Sequence, residues 1–320
     1  MLSSETTTAS GDPSWTSTVA RVLSIEEVAC NVCGSQCSKV LFQEKYCLAN
    51  EEVDLSIRRC QECGLSYTSP RLTRESIRHV YERDSEQTIS HNYCWGGDKG
   101  ASRFASLIRH LTTRSKTGRL LDIGCGAGQF IGEVEGTSDW KTIGLEPSER
   151  AAADARRHTG ANVITATLED AELSLASFDA VSLLGVLEHL HDPRATLDRV
   201  RSLLRPGGVL LTYVPNFNYL RIKDTGAISY LRHGRWSALH PQEHLFHFTP
   251  NSFIALLAAS GFSCIRMEIG RPFTSGGFVG RVTKELAYNS ARLLHAATGV
   301  HLAGIETVSC LTTHKDRNQE

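Results

Sequence analysis

The stretch LLDIGCGAGQF, residues 120–130, limits the possible folds more than any other part of this chain. LLDI has the apolar, partly β-branched character of a short buried strand. Glycines follow at 124, 126 and 128, and QFIGEVE then turns helical. A strand handing over to a helix through glycines marks the carboxyl edge of an α/β sheet. A dinucleotide fingerprint, G-x-G-x-x-G, would need its third glycine at position 129, where this chain has Gln129.

The downstream sequence repeats the strand–helix alternation. KTIGLEPS (141–148) is a second strand ending at Glu146, a carboxylate able to accept hydrogen bonds from both hydroxyls of a ribose. ANVITATLEDAEL holds a third strand, SFDAVSLL a fourth, and RSLLRPGGVLLTYVP a helix end, a turn and a fifth. SCIRMEIG reads as a sixth strand, RVTKELAYNSARLLHAATG as an amphipathic helix, and GIETVSCLTTHK as a final strand. Such alternation predicts a largely parallel sheet covered on both faces.

Ahead of this region stand CNVCG (30–34) and CQECG (60–64), with 26 residues between Cys33 and Cys60. Two Cys-x-x-Cys-Gly turns place the thiolates of Cys30, Cys33, Cys60 and Cys63 around one tetrahedral zinc. With four protein ligands the metal is structural, and a ribbon this small needs it to fold. The rest of the ten cysteines lack this pairing, although Cys37 or Cys47 could replace a ligand. A redox Cys-x-x-Cys would need thioredoxin-like surroundings, which are missing.

A formal net charge of −1 gives no global attraction to nucleic acid or acidic membrane. From Cys30 to Cys63 the basic residues are Lys39, Lys45, Arg58 and Arg59, against the acidic Glu44, Glu51, Glu52, Asp54 and Glu62. Apolar runs such as FIALLAASGF fall short of the ~20 residues that span a bilayer. The first twenty residues have no basic start and no apolar core, so they read as a Ser/Thr-rich tail rather than a signal peptide. A cytoplasmic protein with no membrane partner is expected.

Taken in order, DIGCGAG, Glu146, FDAVSLLGVLEHLHDP and RPGG resemble the motifs of the class I S-adenosylmethionine-dependent methyltransferases. The resemblance covers roughly residues 116–270. CNVCG…CQECGLSYTSPRLTRESIRHVYE and HPQEHLFHFTPNSFIALLAASGF are also similar to the group of these enzymes that carries a zinc-ribbon segment and acts on small molecules and cell-surface sugars. The resemblance implies a Rossmann-like, seven-stranded α/β sheet with its last strand antiparallel. The expected divisions are a tail (1–24), a zinc ribbon (25–68), a helical lid (69–115) and a methyltransferase domain (116–320) whose acceptor cap covers about 216–250. It further implies that Asp122, Gly124, Gly126 and Gly128 lie beneath the methionyl part of the cofactor. Glu146 would then hold the ribose, Leu168 and Glu169 flank the adenine, and Leu184 face the sulfonium.

Such an enzyme aligns an acceptor with an already activated methyl group and, for oxygen or nitrogen acceptors, removes a proton. Six of the 13 histidines fall between 189 and 247. His189, His240 and His244, with Glu243, are the candidates for the base, although each has ordinary packing roles open to it. His191 and His233 belong to the same group, and His247, alternating with Phe246 and Phe248, is expected on the opposite face. Some relatives bind magnesium through E-x-x-E-H; here the stretch is GVLEH (185–189), without the first carboxylate. Glu188 and His189 with Glu243 or His244 could still bind a metal, although hard cations prefer several oxygens, and Glu188 is read first as a helix cap or a loop anchor. Tyr93 and Trp95 either close over the site or simply pack, and Arg103 and Arg109 either meet a carboxylate or stay solvated.

The function expected is therefore methyl transfer from S-adenosylmethionine to a small-molecule acceptor, oxygen before nitrogen or carbon, in secondary-metabolite or sugar biosynthesis. The rivals are an RNA-modifying methyltransferase, a non-catalytic S-adenosylmethionine-binding module and an NAD enzyme. The amphipathic helix near the end either joins a homodimer or widens the acceptor pocket.

Overall fold

The computed structural model describes residues 23–48, 50–84, 104–224, 239–270, 278–301 and 304–311. Tyr93, Trp95, Arg103 and His233 lie outside them.

The front of the chain is antiparallel. Strand β1 (Ile25–Glu26) is followed by β2 (Ser38–Leu48) and β3 (Glu51–Cys60), which pair as a long hairpin, then by β4 (Ser66–Thr68) and β5 (Arg71–Leu72). β1 pairs with β5, and β4 with β3. Helix α1 (Arg74–Asp84) follows, and α2 (Ala105–Arg114) leads into the main sheet.

The main sheet begins with β6 (Arg119–Ile123), α3 (Gln129–Thr137), β7 (Lys141–Leu145), α4 (Glu149–Thr159) and β8 (Asn162–Ile164). β9 (Phe178–Leu184), α5 (Pro193–Leu203) and β10 (Leu204–Val214) continue the alternation. After α6 (Phe217–Asp224) come β11 (Phe246–His247), α7 (Pro250–Ala259), β12 (Phe262–Gly270), α8 (Phe278–Thr298) and β13 (Gly304–Leu311). The seven strands lie in the order β12-β13-β10-β9-β6-β7-β8. β10, β9, β6, β7 and β8 are parallel, and β13 inserts antiparallel between β10 and β12. This is the expected class I arrangement.

Side chains alternate across a strand, so neighbouring residues of one strand feed two cores. Leu120, Ala180, Val209 and Leu211 pack with Leu107, Leu111, Phe130, Val134 and Trp140 on one face. Leu121, Ile123, Leu145, Val181 and Leu183 pack with Leu197, Val200, Phe253 and Leu256 on the other. Burial on both faces explains why these strands read as continuous apolar runs. The turn expected at Pro206-Gly207-Gly208 lies inside β10, where the pairing with β9 shifts between Leu204 and Val209.

One pairing crosses between the two halves of the molecule. β11 adds itself antiparallel to the edge of the front sheet, placing Phe246 opposite Tyr67 and His247 opposite Ser66. His247 is buried, with its ring 5.3 Å from that of Phe217, and its Nε2 lies 3.2 Å from Thr68 Oγ1. The front sheet thus takes its edge strand from the segment that carries the histidines.

Candidate functional site

The glycine loop sits at the carboxyl end of β6. Gly124, Gly126 and Gly128 have φ of 70°, 54° and 80°, in the left-handed region that side chains disfavour. The amides of Gly124 and Cys125 both donate to the carbonyl of Leu145, at 2.8 and 3.0 Å. A Cβ on Gly124 would stand 2.6 Å from Val186 Cγ2, and one on Gly144 would stand 2.6 Å from Cys125 Sγ. The loop is therefore wedged between the ends of β7 and β9.

Glu146 ties this loop to the end of β7. It is 4 % exposed; its Oε2 accepts the Gly126 N–H at 2.9 Å and its Oε1 accepts the Ser148 N–H at 2.9 Å. Burial raises its pKa, against which the two amides work. A carboxylate has about four acceptor positions, so two remain for a diol. Beside it Asp122, 2 % exposed, accepts the Ser182 hydroxyl at 2.6 Å. Burial pushes the Asp122 carboxyl up to about 7; the Ser182 bond lowers it and the Glu146 charge raises it. Ser182 escaped the sequence reading, although a hydroxyl in the middle of an apolar strand signals a buried partner. Leu168 is buried in the turn after β8, Glu169 next to it is exposed, and Leu184 is half-buried at the end of β9.

Beyond β9 the chain makes a single tight turn, Leu187–His189. Glu188 is not the cap of the next helix: Asp192 is, its Oδ1 accepting the Ala195 N–H at 2.9 Å. Glu188 points instead into the protein, and its Oε2 is buried with no hydrogen-bond partner. Desolvation raises its carboxyl to about 8. The Leu245 amide donates to the Glu188 carbonyl at 2.7 Å, and the Thr68 hydroxyl donates to the His244 carbonyl at 3.1 Å. Fixed from both sides, His244 faces His189 with ring centroids 4.8 Å apart; His240 stands 6.0 Å from His244. His240 is exposed and has φ of 43°. His189 Nδ1–H donates to the Glu243 carbonyl at 3.0 Å, which leaves Nε2 with its lone pair. Burial lowers the pKa of His189 and carries that of His244 well below the ordinary range, so both rings are neutral near pH 7. His191 is set apart, its Nε2–H donating to the carbonyl of Leu72 at 3.2 Å. Arg109 is exposed on α2.

The four cysteines of the front turns converge. Cys30 Sγ lies 3.4 Å from Cys63 Sγ, Cys33 Sγ lies 3.5 Å from Cys60 Sγ, and all four lie within 4.8 Å of one another. A disulfide needs roughly 2.05 Å, whereas tetrahedral zinc with bonds of about 2.3 Å sets its sulfurs roughly 3.8 Å apart. The donor set and spacing fit that ion. Cys37 and Cys47 are exposed and stand outside the group. The knuckle also touches the start of α5: Asn31 Nδ2 donates to Asp192 Oδ1 at 3.0 Å, and Arg194 Nη1 donates to the Val32 carbonyl at 3.0 Å.

No helix among the described residues is long and apolar enough to cross a membrane.

A family model described as a methyltransferase domain matches residues 99–266. The ubiquinone biosynthesis O-methyltransferase of Cereibacter sphaeroides is 35% identical over 105 residues, 31% of this chain and 42% of that protein. The tRNA U34 carboxymethyltransferase of Cellvibrio japonicus is 31% identical over 124 residues, 37% of this chain and 36% of that one. The matched region thus spans less than half the length of either curated relative. Among solved structures, a 1,6-didemethyltoxoflavin-N1-methyltransferase of Burkholderia thailandensis with bound S-adenosylhomocysteine superposes with a TM-score of 0.51 at 14% identity. The alignment covers 79% of this chain and 97% of that one. The [4+2]-cyclase SpnF gives 0.50 at 18% identity, covering 76% and 98%. These two likenesses concern the fold alone.

Proposed function

Because the chain belongs to the methyltransferase-domain family, we propose that it transfers the methyl group of S-adenosylmethionine to a small-molecule acceptor, oxygen before nitrogen or carbon. The observation that carries the proposal is Glu146: a buried carboxylate at the end of the second parallel strand, bonded to the glycine loop through Gly126 and keeping acceptor capacity for a ribose diol.

S-adenosylmethionine supplies a methyl already activated on a sulfonium, so the protein's share is binding, alignment and exclusion of water. Glu146 accepts the ribose hydroxyls. Asp122 and the backbone of Gly124, Gly126 and Gly128 hold the methionyl part, Leu168 and Glu169 flank the adenine, and Leu184 borders the sulfonium. His189, His240 and His244 serve the acceptor: an imidazole lone pair takes its proton or holds a cation that lowers its pKa. Structural zinc on Cys30, Cys33, Cys60 and Cys63 belongs to the same proposal, in a ribbon of residues 25–68 ahead of a catalytic domain of residues 116–320. Through Asn31 and β11 that ribbon buttresses the acceptor side.

The test is turnover. The full chain is incubated with S-adenosylmethionine and a panel of hydroxylated small molecules, and S-adenosylhomocysteine is measured. Acceptor-dependent product supports the proposal; tight cofactor binding without product from any acceptor would make the protein a binding module. The tRNA-modifying relative favours a second reading, in which the acceptor is RNA. Affinity for RNA that falls steeply with salt would support it.

A further inference from the structure

We infer that Glu188, His189 and His244 form a second metal site, distinct from the cysteine site, that binds one divalent transition ion of zinc's class and leaves coordination positions open for an oxygen ligand. The residues come from two places in the chain, the turn after β9 and the segment before β11, and their ligating atoms lie within 4.8 Å of one another. Three features point to a cation at their centre.

First, the Glu188 carboxylate is 3 % exposed and Oε2 has no partner. An unpaired buried carboxylate is costly, and a cation relieves that cost. Second, His189 is held as a metal-ligating histidine is held. Its Nδ1–H is spent on the Glu243 carbonyl at 3.0 Å, which fixes the tautomer and aims the Nε2 lone pair at Glu188. That lone pair stands 4.0 Å from Glu188 Oε1, too far for a hydrogen bond. When Glu188 is ionised, two acceptors face each other across this gap and repel unless a cation lies between them. Third, the peptide that follows the third ligand is held at both of its ends: the Thr68 hydroxyl donates to the His244 carbonyl and the Leu245 amide donates to the Glu188 carbonyl, which ties the two ligand-bearing segments together by backbone rather than by one mobile side chain.

The donor set selects the ion. Two imidazoles and one carboxylate suit zinc and its neighbours, whereas magnesium and calcium require mostly oxygen. Ligands around a tetrahedral ion of this class stand roughly 3.3 Å apart, so binding draws the three groups together. Three protein ligands leave room for water or for an acceptor hydroxyl, which a bound ion would acidify. The site abuts the glycine loop: Val186, two residues before Glu188, packs against Gly124. The identity of the oxygen ligand rests on the proposed methyl transfer; the metal site does not, and its test needs no turnover.

The full chain is freed of metal with a chelator and titrated with cobalt(II), and binding is followed by visible absorption. The expected result is two ions per chain with different spectra. One shows the intense thiolate-to-cobalt charge transfer of the cysteine site; the other shows only the weaker ligand-field bands of nitrogen and oxygen ligands. Glu188→Gln and His244→Ala are expected to weaken the second ion at least tenfold and to leave the first unchanged, which also shows that the front domain still folds. Zinc competition should displace both ions from the wild type. A wild type that binds one cobalt, with thiolate character, would overturn the inference, as would a second ion whose affinity neither substitution alters.

Discussion

Gly124→Ala probes the contact that joins the glycine loop to the turn after β9. Gly124 has φ of 70°, and its added Cβ would meet Val186 Cγ2 at 2.6 Å. The left-handed backbone alone costs an L-residue about 1–2 kcal/mol. Val186 is stiff about its one side-chain torsion, so relieving the overlap adds the cost of overpacking, about 1–3 kcal/mol. The variant should therefore lose about 2–5 kcal/mol. Val186→Ala removes two methyl-sized groups from a half-buried side chain and should cost about 1–2 kcal/mol. In the double variant the clash is gone and the backbone cost stays, so it should be more stable than the sum of the singles by about 1–3 kcal/mol. The four proteins are unfolded in urea, followed by circular dichroism and by tryptophan fluorescence, to which Trp140 in the core contributes. Strictly additive losses would mean that Gly124 and Val186 do not touch and that the wedged loop is wrongly drawn.

Three further outcomes are expected. Glu146→Gln removes the charge but keeps an acceptor for one backbone amide; S-adenosylmethionine affinity should fall by about 1–3 kcal/mol in calorimetry, and unchanged affinity would take Glu146 off the ribose. Cys60→Ser should lower bound zinc, and because Asn31 bonds to Asp192 and β11 pairs with β4, amide exchange at residues 244–247 should accelerate; full metal content would end the zinc assignment. The Asp122 carboxyl rises from 3.8 to about 7 on folding, so the fold favours its protonated form. Its contribution is complete below about pH 4 and is lost as pH climbs through about 7, a fall of about 4 kcal/mol. Asp122→Asn should flatten that part of the stability–pH curve, and an unchanged curve would show that Asp122 is not desolvated.

The parallel sheet was legible because its strands are buried on both faces and carry strong apolar runs, with glycines where the loop must turn. Glu146 was legible because it closes such a run. What the sequence hid is non-local. β11 has two residues, too few for any alternation, and it exists only because the front sheet offers an open edge. Asp192 rather than Glu188 caps α5, since the cap lies immediately before Pro193; this freed Glu188 to turn inward. The convergence of Glu188 with His244 depends on Thr68, which sits 176 positions from His244 in the chain. No local pattern encodes such a clamp.

The central claim is that the glycine loop and Glu146 hold S-adenosylmethionine. Calorimetric titration of the full chain with S-adenosylmethionine, S-adenosylhomocysteine and NAD, side by side, tests it most directly. The account predicts saturable binding of the first two and none of NAD. Binding of NAD alone, or of none of the three, would contradict it.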